Sequence, residues 1–258
     1  MELGYAAAGL LVGFIVGLTG VGGGSLMTPI LLWFGISPST AVGTDLLYAA
    51  ITKAGGVTVH NKQNHVDWAI TGWMAAGSVP AALVTLWALS ALHLSSHVLD
   101  SVFKLVLGMA LLLTAVAILL KPYLMRWLHR DNIVQSDDPV VPKVVPTVLI
   151  GLGLGVLVTL SSIGAGALGT LALFLLYPKL PTARLVGTEI AHAIPLTLVA
   201  GLGHASMGNI HYLLVANLLM GSLPGIWMGS KLTRQLTDSW LRPALAVMLM
   251  VIGSKLVY

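Results

Sequence analysis

The chain contains no cysteine. Disulfides, thiolate metal ligands and cysteine nucleophiles are therefore all excluded. Charge is nearly as scarce: 9% of the 258 residues are Asp, Glu, Lys or Arg, where a soluble domain carries roughly 25%. Hydrophobic residues make up 57%, and the mean hydropathy is +0.92. No segment is long and polar enough to form a separate soluble domain. The start, "MELGYAAAGLLVGFIVG", has Glu2 and no basic n-region, so no cleaved signal peptide is expected. Apolar stretches of helix length recur from end to end, which predicts an all-α integral membrane protein rather than a barrel.

What the chain has in abundance is glycine, 29 residues, and it is clustered. "GLTGVGGGSLMTP" at 17–29 opens the first apolar segment with three consecutive glycines. Each glycine weakens a helix by about 1 kcal/mol relative to alanine. A run of them inside an apolar span predicts a helix break.

The break is repeated. "GVGGGSLMT" at 20–28 matches "SIGAGALGT" at 162–170, an offset of 142. Downstream the offset is 144. It aligns "VGTDLLYAAITKAGGVTVH" at 42–60 with "VGTEIAHAIPLTLVAGLGH" at 186–204, "VDW" at 66–68 with "IHY" at 210–212, and "GSVP" at 77–80 with "GSLP" at 221–224. Two repeats are expected, 1–127 and 143–258, joined by a polar linker at 128–142. Each would hold a helix ending at a Gly tip, a short apolar stretch and three longer helices. The predicted helices lie at 4–19, 25–35, 42–59, 67–89 and 98–120, then at 145–161, 167–177, 186–203, 211–230 and 240–257. The segment after each tip covers only about half of a 30 Å hydrocarbon core. Either a re-entrant hairpin or a helix pair meeting at an unwound tip accounts for it.

Loop charges set an orientation. Lys121, Arg126, Arg130 and Lys143 crowd the joining region, so the 121–145 loop is placed in the cytoplasm. If each repeat crosses the membrane an odd number of times, the loops with Lys62, Lys179, Arg184, Lys231 and Arg234 also fall inside. An even count moves four of these outside. The odd count predicts repeats of inverted topology, a plan of secondary transporters, with both termini outside the cytoplasm.

Inverted repeats would bring the two tips together near the midplane. A helix N-terminus carries about half a positive charge and exposed N–H groups. Gly22, Gly23, Gly24, Ser25 and Thr28, with Ser161, Ser162, Gly164, Gly166 and Thr170, would form a cradle for a small anion. Close helix packing through small residues explains the same glycines. Intramembrane ionisable groups are costly and call for a partner or a wet path. Asp45 and Glu189 are matched, each three residues from a second polar group, Tyr48 and His192. They fit proton coupling, or N-terminal capping of helices that begin at "VGTD" and "VGTE". Lys53 fits the anion site, pairing with an acid, or snorkelling. His60 and His204, at matched helix ends, fit gating or interfacial capping. No catalytic constellation, metal-ligand spacing or cofactor motif is present, so neither enzyme activity nor a cofactor is expected.

Taken together, "GFIVGLTGVGGGSLMTPILLWFGISPSTAVGTDLLYAAITKAGG", "HVDW" and "GTEIAHAIPLTLVAGLGH…GNIHYLLVANLLMGSLPG" resemble the sulfite exporter TauE/SafE family, also called the toluene sulfonate uptake permease family. The resemblance covers essentially the whole chain. It implies an inner-membrane carrier of sulfur-containing anions such as sulfite, thiosulfate or organosulfonates, coupled to protons. The expected partners are the bilayer, a small anion and protons, with no nucleic acid. The alternative is a carrier of another small solute or of a metal cation drawn to Asp45 and Glu189.

Overall fold

The computed structural model describes residues 2–19, 24–92, 95–130, 140–232 and 238–257. These form ten α-helices and no strand: α1 Glu2–Thr19, α2 Gly24–Trp33, α3 Pro38–Lys62, α4 Trp68–Ala91, α5 Ser96–Arg130, α6 Val144–Ser161, α7 Ala167–Leu176, α8 Thr182–Ser206, α9 Tyr212–Leu232 and α10 Asp238–Val257. Among the described residues, five helices are long and apolar enough to cross a membrane. They are α4, most of α5, α6, α8 and most of α9. Helix α3 has the length, roughly 37 Å at 1.5 Å per residue, but Asp45 and Lys53 dilute its hydropathy. Large apolar side chains point away from the protein on the outer helices, for example Val84, Trp87, Leu149 and Met220. Such an outer surface suits lipid rather than water.

Helix order matches the expected five-and-five pattern, and the boundaries differ in informative ways. Helices α3 and α8 begin four residues before their expected starts, at Pro38 and Thr182. The Ser-Pro of "ISPST" explains the first, because proline suits the opening turn of a helix. Helix α5 runs on to Arg130, well past the bilayer core. The expected linker at 128–142 thus starts inside α5, and its residues 131–139 lie outside the described residues.

The principal helix pairs all join one half of the chain to the other: α1 with α9, α4 with α6, α3 with α8, and α5 with α10. Exchanging each helix for its matched partner returns the same set. Glycines fix the registers. In α1, a Cβ on Gly9 or Gly13 would stand 2.4 Å from the carbonyl oxygens of Leu218 and Ser222. In α6, the matched Gly151 and Gly155 meet the carbonyls of Met74 and Ser78, at 2.2 and 2.4 Å. Gly77 and Gly221, which open the "GSVP" and "GSLP" motifs, meet the carbonyls of Val148 and Ala6 at 2.1 and 1.9 Å. No side chain fits at these crossings. Backbone contact of this closeness is what holds helices together where lipid removes the hydrophobic drive.

Directions follow from the same contacts. Rising residue numbers in α1 meet rising numbers in α9, and α4 and α6 do likewise, so these pairs are parallel. Gly43 lies against His204 and Asn209, Gly201 against Leu46 and Leu47, and Gly187 against His65, so α3 and α8 are antiparallel. Gly108 meets Gly253 and Val257, while Gly253 meets Leu111 and Leu112, so α5 and α10 are antiparallel too.

Gly77→Val and Gly221→Val are expected to lower the thermal midpoint of the detergent-solubilised protein or to prevent its recovery. Gly72→Ala and Gly153→Ala, where an added Cβ meets nothing within 4 Å, are expected to hold or raise it, since alanine gains about 0.5–1 kcal/mol in a helix. Intrinsic fluorescence melts of the four variants check the contrast.

Candidate functional site

The second Gly break is where the backbone leaves the helix inside the protein. Ser162 ends α6 in the left-handed conformation, φ 57°. Gly164 and Gly166 follow at φ 117° and 154°, values that need glycine. Helix α7 then starts at Ala167. Opened backbone at membrane depth must find partners. The Ser161 hydroxyl accepts the Ile163 N–H at 3.1 Å and donates to the Leu157 carbonyl at 2.6 Å. Lys53, from the other half of the chain, donates its ammonium to the carbonyl of Ala165. Ser161, expected to donate to an anion, is therefore committed to holding the break.

The first half comes to the same place. Gly24, the first residue of α2, packs so closely on the Ser162 carbonyl that a Cβ would stand 2.3 Å from it. The Asp45 carboxylate lies 3.5 Å from that same point. Thr28 donates its hydroxyl to Asp45 Oδ2, so it too has a fixed partner. Asp45 is fully buried and Ser162 nearly so. Asp45 Oδ1 makes no hydrogen bond among the described residues, and the Ser162 hydroxyl faces the Asp45 carboxylate. Ser25 and Thr170 are buried in the same helix starts. Gly22 and Gly23 lie outside the described residues.

Glu189 comes from α8. It is 2% exposed, and its Oε1 makes no hydrogen bond among the described residues. A Cβ on Gly169 would come within 2.9 Å of its Cγ and 3.0 Å of its Oε1. The residue matched to Gly169 is Met27. The half with the longer acid thus has glycine where the half with the shorter acid has methionine. Lys53 interacts electrostatically with Glu189 and with Asp45.

A second matched pair backs the acids. His192 Nε2 lies 2.8 Å from the Ser78 hydroxyl, and Tyr48 faces the hydroxyl of Ser222. Tyr48 matches His192, and Ser78 matches Ser222, at the common offset. His192 Nδ1 is buried without a hydrogen bond among the described residues. No Glu189–His192 hydrogen bond is observed among them, so the expected proton-handling pair is not in direct contact.

The capping role for Asp45 and Glu189 is corrected. Both acids sit seven residues into their helices, since α3 and α8 begin at Pro38 and Thr182. The "VGT" motif has another use. Thr44 Oγ accepts the N–H of His211 at 3.2 Å, and Thr188 Oγ accepts the N–H of Asp67 at 2.9 Å. Asp67 caps α4 by accepting from Ile70 N–H at 3.1 Å. His211 does the same for α9, its Nδ1 accepting from Leu214 N–H at 3.1 Å. The preceding glycines, Gly43 and Gly187, press on the carbonyls of Asn209 and His65. Each "VGT" is a latch between one helix of the α3–α8 pair and the start of a helix in the opposite half. The recurrence of "VGT", "VDW/IHY" and "GSVP/GSLP" was the signal for these residues; the roles of Ser78, Ser222, Thr44, Thr188, Asp67 and His211 needed the fold.

His60 and His204 end in unlike surroundings. His204 is fully buried; its Nε2–H donates to the Thr159 carbonyl at 2.9 Å, and its ring meets Phe103 edge-on. His60 is half-buried, its ring centroid 6.1 Å from that of His65. An open polar cavity of about 510 Å³ lies beside this loop, lined by Asn61, Gln63, Asn64, His65, Val66, Trp68 and Arg184. Arg184 at its edge is ion-paired to Asp67 at 3.0 Å. Among the described residues no cluster of three His, Asp or Glu side chains could hold a metal ion.

Long apolar helices around a polar, glycine-broken centre define a multi-pass membrane transporter. A match to the family described as "Sulfite exporter TauE/SafE" runs over residues 5–256, and the chain belongs to that family. It is 40% identical over 257 residues, the full length of both chains, to the probable membrane transporter protein YjnA of Bacillus subtilis. It is 27% identical to YdhB of the same organism, covering 96% of this chain and 97% of that one. It is 29% identical to a probable membrane transporter protein of Methanocaldococcus jannaschii, covering 95% and 92%. No solved structure matches the chain significantly.

Gly169→Ala is expected to crowd Glu189 and destabilise the protein by about 1–3 kcal/mol, the usual cost of overpacking. Glu189→Asp, one methylene shorter, is expected to restore part of the loss in the double variant. A double-mutant cycle of thermal midpoints measures the coupling.

Proposed function

We propose that the protein is a secondary transporter of a small sulfur-containing oxyanion such as sulfite, thiosulfate or an organosulfonate. The anion would bind where the 162–166 break, the start of α2 and Lys53 converge, and its passage would be coupled to protons. The observation that carries this reading is the meeting of a buried ammonium and a buried Ser162 hydroxyl at opened backbone. Oxyanions are recognised by such donors, and helix starts add positive potential. The family's description as sulfite exporters supports this substrate class.

Charge balance supports the coupling. With both acids ionised the centre holds two carboxylates and one ammonium, which repels an anion. Protonation of at least one acid removes that barrier, so proton and anion would enter together. Asp45 is already hydrogen-bonded by Thr28, whereas Glu189 Oε1 has no such donor, which favours Glu189 as the exchanging group. The ammonium between the acids opposes a divalent cation in the same place.

Alternating access of two inverted repeats would move the anion. The antiparallel packing of matched helices α3 and α8, and of α5 and α10, supports that relation. The Lys and Arg residues of the 121–145 region support a cytoplasmic linker, with both termini on the other side of an inner membrane.

Four outcomes are expected. Proteoliposomes should accumulate at least one of radiolabelled sulfite, thiosulfate, taurine or sulfoacetate faster with an imposed pH gradient. Gly164→Leu should abolish that flux in protein that still inserts, and Glu189→Gln should remove its dependence on the gradient. Gradient-independent flux in the parent protein would reject the coupling. Separately, a reporter fused to the C-terminus should be active on the extracytoplasmic side; cytoplasmic activity would reject the orientation.

A further inference from the structure

Lys53 has a position that no other charged residue shares among the described residues. Counting ten residues inward from the Gly43–His204 contact places Lys53 across from residue 194 of α8. Counting twelve inward from the Gly187–His65 contact places it across from residue 199. Between these lies Thr197, the residue matched to Lys53 itself. Lys53 therefore sits at the pseudo-two-fold crossing of the antiparallel α3–α8 pair, where a residue and its own counterpart meet.

Asp45 lies eight residues before Lys53, and Glu189 eight residues before Thr197. Because the helices are antiparallel, the two acids lie on opposite sides of the crossing, each about 12 Å away along a helix axis at 1.5 Å per residue. Both interact electrostatically with Lys53. The centre thus has two matched negative positions and one cation that the symmetry cannot duplicate. The ammonium must break the symmetry, and it does: it bonds the Ala165 carbonyl of the second break. The position matched to Ala165 is Gly23 of the first break.

We propose that Lys53 is the transferable counter-charge of the transport cycle, pairing with the Glu189 half in one state and with the Asp45 half in the other, and presenting the same ammonium to the anion in both. The proposal rests on the transporter reading above. A bistable element biased by two competing partners is what converts a local charge event into a change of access. Neutralising one acid would leave Lys53 on the other and shift the equilibrium one way; neutralising the other acid would shift it the opposite way. The remaining titratable groups around this centre are His192, which lies within electrostatic reach of Lys53, and Tyr48 beside Asp45. Neither is matched by an ionisable group of the same type in the other half.

The absence of native cysteine makes the test direct. Single cysteines are placed at His65 and at Asn209, matched half-buried positions next to Gly187 and Gly43 at opposite ends of the α3–α8 pair. Labelling rates with a membrane-impermeant maleimide are then measured from each side of oriented proteoliposomes, without substrate. The ratio of the two rates should move at least about threefold in one direction in Asp45→Asn and in the other direction in Glu189→Gln. Lys53→Met should bring both acid variants to a common ratio. Shifts of the same sign, or opposite shifts that survive Lys53→Met, would overturn the proposal. If Lys53→Met fails to insert, the signs in the two acid variants decide alone. Opposite signs without flux of any sulfur oxyanion would reject the substrate reading and keep the role of Lys53. Flux with same-sign shifts would do the reverse.

Discussion

A polypeptide backbone that leaves its helix inside a bilayer has no water to fall back on, and this constraint organises the protein. The segment 162–166 gives up regular helix bonds where each unpaired polar group is costly. It is tolerated because Ser161 folds back on it and because Lys53 reaches it from the other half of the chain. The same opening brings Ser162 and the start of α2 to the carboxylate of Asp45. On the proposed reading, structural repair and chemistry are done by one set of groups: the lysine that satisfies the break would also be the charge that attracts an anion.

The second consequence is interlocking. A repeat that folded alone would bring its own broken ends nowhere in particular. Here every major helix pair joins the halves, and the glycines at the crossings leave no room for slippage. The second break and the start of α2 meet at the Ser162 carbonyl, while α1 packs in parallel on α9 and α6 on α4. The Thr44 and Thr188 latches then fix where the next helices start. Rigid crossings at the periphery and a sparsely bonded centre are a suitable division of labour for a carrier. On the proposed mechanism, movement would be concentrated where few hydrogen bonds must break.

Much of this was legible because the chain repeats itself. Two nearly equal offsets exposed five elements in each half, and the weak helix propensity of clustered glycine marked the second break. Local chemistry was harder to read. Asp45 and Glu189 follow "VGT", which looks like a helix start, but the starts lie earlier, at Pro38 and Thr182, so the acids are buried seven residues in. Thr28, read as a spare donor, is taken by Asp45, and the Thr44 and Thr188 hydroxyls accept from His211 and Asp67 across the halves. Matched histidines, His60 and His204, went to unlike environments, because Phe103 and Thr159 surround only the second. Gly169 made sense only beside Glu189. Each of these depends on which side chain faces which across the halves, and a repeat offset says nothing about facing. The central placement of Lys53 was hidden for the same reason: it depends on the register of two antiparallel helices.

The central claim is that the broken helix exists to hold an anion. Its most direct test is a structure determined with selenate or selenite, heavier analogues whose selenium can be located by anomalous scattering. The account predicts a selenium peak within hydrogen-bond reach of the Ser162 hydroxyl and the Lys53 ammonium, between the starts of α2 and α7. A peak confined to the Arg184 cavity, or none in protein that transports the analogue, would contradict it.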